Sequence, residues 1–295
     1  MAFRGDLPFS SPYGLYPALA RRIIELSTPS LVLKQLFIDL SFTYGSSLEI
    51  AKEKGSRSIG LFETAEGAEV LFDATPYEKV TVTPKKYTIG DFITRETLED
   101  VEPVIALTDQ KIRRLARRYA YQIESSIQTV IDAGALNSGA ATGTSLMFDG
   151  TEKTINGTIG QYDIVNGMAA IENLNLVPEY LLVGPTRAGD LKKLPHFSMA
   201  FAYEEPVVQT GLIGEIYGLK VLKSTVIPSN RAYIVSAGVN PSAAYEPLGY
   251  FVWKRPLEID MEYVKNTQRF NIYLSTRFAP IVTSGANIYK ITIGS

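Results

Sequence analysis

One histidine and no cysteine narrow the chemistry open to this 295-residue chain. His196 lies beside Pro195 in KKLPHFSM. Alone it can build neither a Ser-His-Asp triad nor a multi-histidine metal centre, so it reads as a loop or surface residue. Without cysteine there is no thiolate nucleophile, disulfide or zinc-thiolate site. Glu258, Asp260 and Glu262 alternate along PLEIDMEYV and share one strand face. Successive members are roughly 7 Å apart along a strand, too far for one strand to chelate an ion. A solvated or salt-bridged face is the expectation, with a cation shared between subunits as the alternative. The run NSGAATGTS lacks the strand, glycine loop and helix with Lys-Ser/Thr of a phosphate cradle. Asn156-Gly157-Thr158 matches a glycosylation acceptor but has no secretory route to give it meaning. No catalytic, metal or cofactor residue emerges.

The densest charge cluster is Arg113, Arg114, Arg117 and Arg118, in TDQKIRRLARRYAYQIESSIQTVIDAG. At 100° per residue Ile112, Leu115, Ala116, Tyr119, Ala120, Ile123, Ile127, Val130 and Ile131 fall within an arc of about 160°. The arginines fill the neighbouring arc. The pattern predicts a helix over 109–133, a rod of roughly 40 Å, with Thr108 or Asp109 as N-cap and Gly134 just past its end. The arginines admit three readings: a solvated face, pairing with acidic surfaces of a neighbouring subunit, or contact with nucleic acid. The formal net charge of −2 disfavours the last.

The elements around this helix follow in order. Residues 1–16 mix Pro, Gly and aromatics and read as an extended arm; PALARRIIEL, from Pro17, reads as a short helix with Pro at its first position. A second amphipathic segment is expected from Ser30. An arm rich in Phe, Tyr and Leu gains little from lying in water and is expected to pack on its own body or a neighbour. Residues 45–80 alternate β-like runs with glycine and charge, suggesting a long two-stranded excursion with its tip within Lys52–Gly67. A lone hairpin is marginal in water, so it folds back on its own domain or packs elsewhere.

A long strand over Lys79–Thr94 leads into the helix. Beyond it come a helix over Tyr162–Leu174, the strand EYLLVGP, a helix from an N-cap at Thr186, the strand pair GEIYGLKVLKS and the strand RAYIVSA. In PLEIDMEYV, Leu257, Ile259, Met261 and Tyr263 alternate with the acids. NIYLSTRFAP repeats the pattern with Ile272, Leu274 and Thr276, and KNTQR between them has hairpin-tip chemistry. ANIYKITI closes the chain as a strand. Trp253 reads as core or interface rather than as a ligand platform.

Extended strand, ITRETLED, long helix and glycine, then GEIYGLKVLKSTVIP and the late strand pair, follow one another over nearly the whole chain. This order resembles the major capsid proteins of tailed double-stranded DNA viruses, which have the Hong Kong 97 fold. The resemblance implies an α+β protein in four parts. These are an N-terminal arm (1–44), an extended β-hairpin loop (45–80), a peripheral domain with spine helix and β-sheet (81–150 and 254–279), and an α/β axial domain (151–253 and 280–295). It implies a structural, non-enzymatic role: pentamers and hexamers assembling into an icosahedral or prolate head around double-stranded DNA that is enclosed rather than read by sequence.

By the same resemblance the tip Lys265, Asn266, Thr267, Gln268 and Arg269 meets its copies at three-fold junctions, and the spine arginines are subunit-interface residues. Some relatives cross-link a loop lysine to a peripheral asparagine; Lys52, Lys54 and Lys79 with Asn266 are the only candidates here. Family members often begin with a scaffolding segment for which this chain has no room, so a separate scaffold, or none, is expected, beside portal and decoration proteins. An encapsulin-like nanocompartment shares the fold and is the alternative; a soluble α/β enzyme is disfavoured.

Composition sets the outer bounds. An apolar content of 45% is ordinary for a globular protein and excludes wholesale disorder. The N-terminus has no apolar signal region, and SLVLKQLFIDLSF, broken by Lys34, Gln35 and Asp39, is too short to span a bilayer. A soluble protein made in the host cytoplasm and ending in a virion, with no membrane partner, is the expectation.

Overall fold

The computed structural model describes residues 21–53, 77–100, 104–137, 153–173, 176–193, 212–237, 247–283 and 285–294. Its axis is one helix, α3, over Val104–Asn137 (34 residues), which starts earlier and ends later than the sequence pattern predicts. Gly134 does not end it. Glycine is there for proximity: an added Cβ would lie 3.0 Å from Val282 Cγ1 and 3.5 Å from Ile288 Cδ1. The close approach of those two side chains holds the helix through a residue that would otherwise weaken it. The expected N-cap at Thr108 or Asp109 is likewise helix interior, and the short helix α2 (Arg95–Asp100) precedes it.

The buried side of α3 carries Leu115, Ala116, Tyr119, Ala120, Ile123, Ile127 and Ile131, seven of the nine residues in the expected arc. It packs first on a four-stranded sheet of order β1-β10-β11-β4. Here β10 (Gly249–Val264) and β11 (Arg269–Val282) form a long antiparallel hairpin, and β4 (Lys85–Thr94) pairs with β11. β1 (Ile38–Ser41) lies parallel to β10. The segment expected to be amphipathic from Ser30 is instead two 3-10 turns, Thr28–Ser30 and Leu33–Leu36, leading into this edge strand. A helix over 21–27 (α1) precedes them. The hairpin register slips between Trp253 and Glu258, where Pro256 cannot donate to the ladder.

The expected single strand over Lys79–Thr94 is two. β3 (Tyr77–Val82) pairs with β2 (Leu48–Glu53) in a separate two-stranded ribbon, and β4 begins after Thr83-Pro84. Pro84 has no N–H to offer, so the chain leaves one sheet for another there. The tip expected within Lys52–Gly67 lies almost wholly outside the described residues.

The second body is a six-stranded mixed sheet, β5-β12-β9-β6-β8-β7. Its strands are Lys153–Asn156 (β5), Tyr180–Val183 (β6), Leu212–Ile216 (β7), Leu219–Lys223 (β8), Arg231–Val235 (β9) and Ile288–Gly294 (β12). The C-terminal half of α3 contacts β12, and α4 (Gln161–Glu172) contacts β12 and β9. α5 (Pro185–Lys192) starts from Gly184, not Thr186, as N-cap. Leu181, Leu182, Ile234, Val235 and Ile291 are fully buried. That is the pattern of a sheet covered on both sides.

Candidate subunit interface

The exposed side of α3 holds Arg113, Arg114, Arg117 and Arg118 in two successive turns. Like charges four residues apart weaken a helix, so this cluster needs another reason than helix stability. Lys111 just before them is tied down: its ammonium donates to Asp91 Oδ1 at 2.8 Å and to the Phe92 carbonyl at 3.0 Å. Burial pushes the Asp91 carboxyl up, but Lys111 and the Phe92 backbone N–H outweigh it and hold the group below its ordinary range. Arg117 and Arg118 line the mouth of a groove of about 570 Å³ between the helix and the inner face of the four-stranded sheet. Tyr87, Ile89, Tyr119 and Leu274 form its walls.

The other face of that sheet is open. Cross-strand register sets Lys86 beside Arg277 and Arg277 beside Arg255, a row of three cations. Arg255 is partly offset by Glu258 at 3.1 Å. The next rows are Thr88–Ser275–Glu258, Gly90–Tyr273–Asp260 and Phe92–Asn271–Glu262. Glu258, Asp260 and Glu262 are exposed, as the alternation implied. No group of three or more metal-ligating side chains occurs among the described residues. Phe92 is 50% exposed, with Arg269 5.1 Å from its ring centroid and Lys111 5.8 Å. Tyr273, 41% exposed, lies over Gly90.

At the hairpin end, Lys265–Thr267 form a 3-10 turn and Gln268 adopts the left-handed conformation, φ 45°. Lys265, Asn266, Thr267 and Gln268 are exposed, and the Arg95 N–H donates to the Gln268 carbonyl at 2.8 Å. The structure thus brings Arg269 and Lys111 each to the Phe92 ring, while the four spine arginines stand on the helix. Of the cross-link candidates, Lys79 pairs with Glu49 at 3.1 Å on the ribbon, and Asn266 sits at the hairpin tip. Lys54 and His196 lie outside the described residues, and nothing is described of the Lys52 side chain. Trp253 packs against Phe251 and Phe278 and donates to Asp39 Oδ1 at 3.1 Å, as a core residue would.

The residue that sequence reasoning missed is Glu124, 2% exposed. Its Oε1 accepts from the backbone N–H groups of Leu33 at 2.8 Å and Lys34 at 3.3 Å, and its Oε2 from the Ser224 hydroxyl at 3.1 Å. One carboxyl therefore joins the 3-10 turn at 33–36, the spine and the loop after β8. Burial pushes it up to about 7, against the pull of these donors. At 100° per residue Glu124 falls about 20° past the apolar arc, on the side of Arg117. Only the turn laid over it makes it an inside residue.

A family model described as phage capsid protein matches residues 77–291. The chain belongs to that family. No curated protein sequence matches it. Among solved structures, the cyanophage P-SCSP1u capsid is similar at 12% identity, TM-score 0.65, covering 88% of this chain and 87% of that one. The mature capsid of bacteriophage PhiM1 matches at 12% identity, TM-score 0.60, over 100% of this chain and 92% of that one. A virus-like particle from Pyrococcus furiosus matches at 12% identity, TM-score 0.58, covering 94% and 99%. At such identities these likenesses establish the fold, the Hong Kong 97 type expected from the sequence. The capsid protein is accordingly a structural, shell-forming component of a virion. Among the described residues no helix is long and apolar enough to cross a membrane.

Proposed function

We propose that this capsid protein assembles as pentamers and hexamers into an icosahedral or prolate head enclosing double-stranded DNA. The observation that carries this reading is the contrast, among the described residues, between a closed sheet and an open one. The six-stranded sheet is covered on both faces, while the four-stranded sheet leaves a polar-aromatic face, a groove and a hairpin tip to solvent. In a closed assembly repeated heterologous contacts use such surfaces. The capsid protein divides into an arm (1–44), an extended loop (45–80), a peripheral domain (81–150 and 254–279) and an axial domain (151–253 and 280–295). Its interface residues are Arg113, Arg114, Arg117 and Arg118 on the spine, and Lys265–Arg269 at three-fold junctions. It is made in the host cytoplasm, acts without catalysis, and works with a portal and, where used, separate scaffold and decoration proteins.

Electron microscopy of the purified protein tests this. Closed shells much wider than a compartment of about sixty subunits are expected. Small uniform shells filled with protein would move the reading to a nanocompartment, and small oligomers at every salt and scaffold condition would end it. Exposed charge pairs contribute under ~1 kcal/mol each, so Arg113→Glu/Arg117→Glu should fold normally yet assemble poorly. Normal shells from that variant would remove the arginines from the interface.

A further inference from the structure

Like charge is concentrated on the open face of the four-stranded sheet. Lys86, Arg277 and Arg255 are neighbours across β4, β11 and β10, and like charges directly opposite one another weaken a sheet. Glu258 offsets Arg255 at 3.1 Å. Among the described residues neither Lys86 nor Arg277 has an ion pair, and the buried Nε of Arg277 has no hydrogen-bond acceptor. The Ser275 hydroxyl oxygen accepts from the Arg255 guanidinium, which leaves its own hydrogen for an outside acceptor. Lys86, Thr88, Arg255 and Ser275 line a depression of about 450 Å³, with Glu258 and Asp260 on its β10 side.

We propose that this depression is a binding site for one phosphate group, either free or carried in the backbone of a nucleic acid, held by Lys86, Arg277 and Arg255. Neighbouring strands lie about 4.8 Å apart, so the outer two cations start roughly 10 Å apart and their long side chains can converge over the central Arg277. A carboxylate presents two oxygens in one plane and is satisfied by one guanidinium fork. A phosphate offers oxygens in several directions and can accept from more than one cation at once, with the Thr88 and Ser275 hydroxyls as further donors. Glu258 and Asp260 repel an anion that extends toward β10, so the row takes a single phosphate rather than the length of a duplex. A bound phosphate cancels the repulsion within the row, so the folded chain is stabilised by the ligand. The assignment needs only this face, and holds whether or not the protein forms a closed shell.

Thermal unfolding of the full-length protein tests this, with inorganic phosphate added against chloride at equal ionic strength. Phosphate should raise the wild-type melting temperature in a saturable way. In Lys86→Gln and Arg277→Gln the concentration needed for half that effect should rise at least about fivefold. Lys192→Gln removes the same charge from an exposed position on α5 and should respond as wild type. Without phosphate, Lys86→Gln should melt no lower than wild type, because it relieves like-charge repulsion. Lys86 is exposed, so that variant carries the test even if Arg277→Gln fails to fold. A short oligothymidylate, titrated in the same way, separates the two sources. A shift by inorganic phosphate alone points to a free ion, and a shift by the oligonucleotide that is lost in Lys86→Gln points to a nucleic-acid backbone; either supports the site. No saturable shift by either probe, an equal shift by acetate, an unchanged response in Lys86→Gln, or an equal loss in Lys192→Gln would overturn it.

Discussion

The two large sheets solve the same problem in opposite ways. The six-stranded sheet hides both faces, and its strands read YLLV, RAYIV and IYKITI, with few polar interruptions. The four-stranded sheet hides one face; along their outer halves β10 alternates apolar with acidic residues, and β11 alternates Ile272 and Leu274 with Asn271, Tyr273 and Ser275. One helix serves both. Its N-terminal half presents arginines beside the open sheet, and near its C-terminal end Gly134 lies against Val282 of the open sheet and Ile288 of the closed one. In the proposed shell this asymmetry would leave the closed body stable on its own and let copies of the chain complete the surfaces of the open one.

The largest expected effect breaks the closed half. Asp132 on α3 meets Arg231 at 2.5 Å, the Tyr233 hydroxyl at 2.9 Å and Lys290 at 3.3 Å. Lys290 is only 2% exposed. Asp132→Ala removes the carboxylate facing a buried ammonium and should cost about 3–5 kcal/mol in denaturant unfolding. A loss under about 1 kcal/mol would mean that the spine is not anchored to the closed sheet by charge.

Next comes the Glu124 junction. Its carboxyl is raised to about 7 in the folded chain, so the native state holds a proton that the unfolded state releases. Stability should therefore fall as pH rises from about 4.5 through about 7, by ~3 kcal/mol at most. Glu124→Gln should flatten that slope while keeping an acceptor for the Leu33 N–H. Wild type and variant with parallel pH profiles would show that the junction does not titrate in this window.

A smaller effect is expected where α4 crosses the closed sheet. An added Cβ at Gly167 would lie 2.6 Å from Ile234 Cδ1 and 2.7 Å from Tyr289 Cδ1. Gly167→Ala should thus destabilise by about 1–3 kcal/mol, and an unchanged melting curve would argue against such tight packing. The smallest effect on folding, and the one that sharpens the contrast most, is on the open face. Phe92→Ser with Tyr273→Ser should leave unfolding within about 1 kcal/mol of wild type, because both rings sit half-exposed on the sheet surface rather than in the core. Their loss should appear in particle assembly, measured by sedimentation. Normal particles would mean that this face points to solvent in the shell as well.

Much of this was legible in the sequence because periodicity is a local property. The apolar arc from Leu115 to Ile131 names the buried side of the spine, and the alternation of Leu257, Ile259, Ile272 and Leu274 names the inner face of the hairpin. Family resemblance carried the fold, and the arginine cluster announced itself by charge alone. The groove did not, because its walls come from β4, α3 and β11, whose meeting no local pattern records.

What the sequence determined by itself is therefore which residues turn inward and where regular elements lie. Tertiary structure decided the rest. Gly134 is helical because Val282 and Ile288 close on it. The chain changes sheets at Pro84 because β2 and β11 offer separate edges to β3 and β4. Glu124 is buried because a turn ninety residues earlier supplies its donors. A helical phase can place a side chain toward one side, but only the elements laid across that side determine whether it meets water, an apolar wall or a waiting N–H.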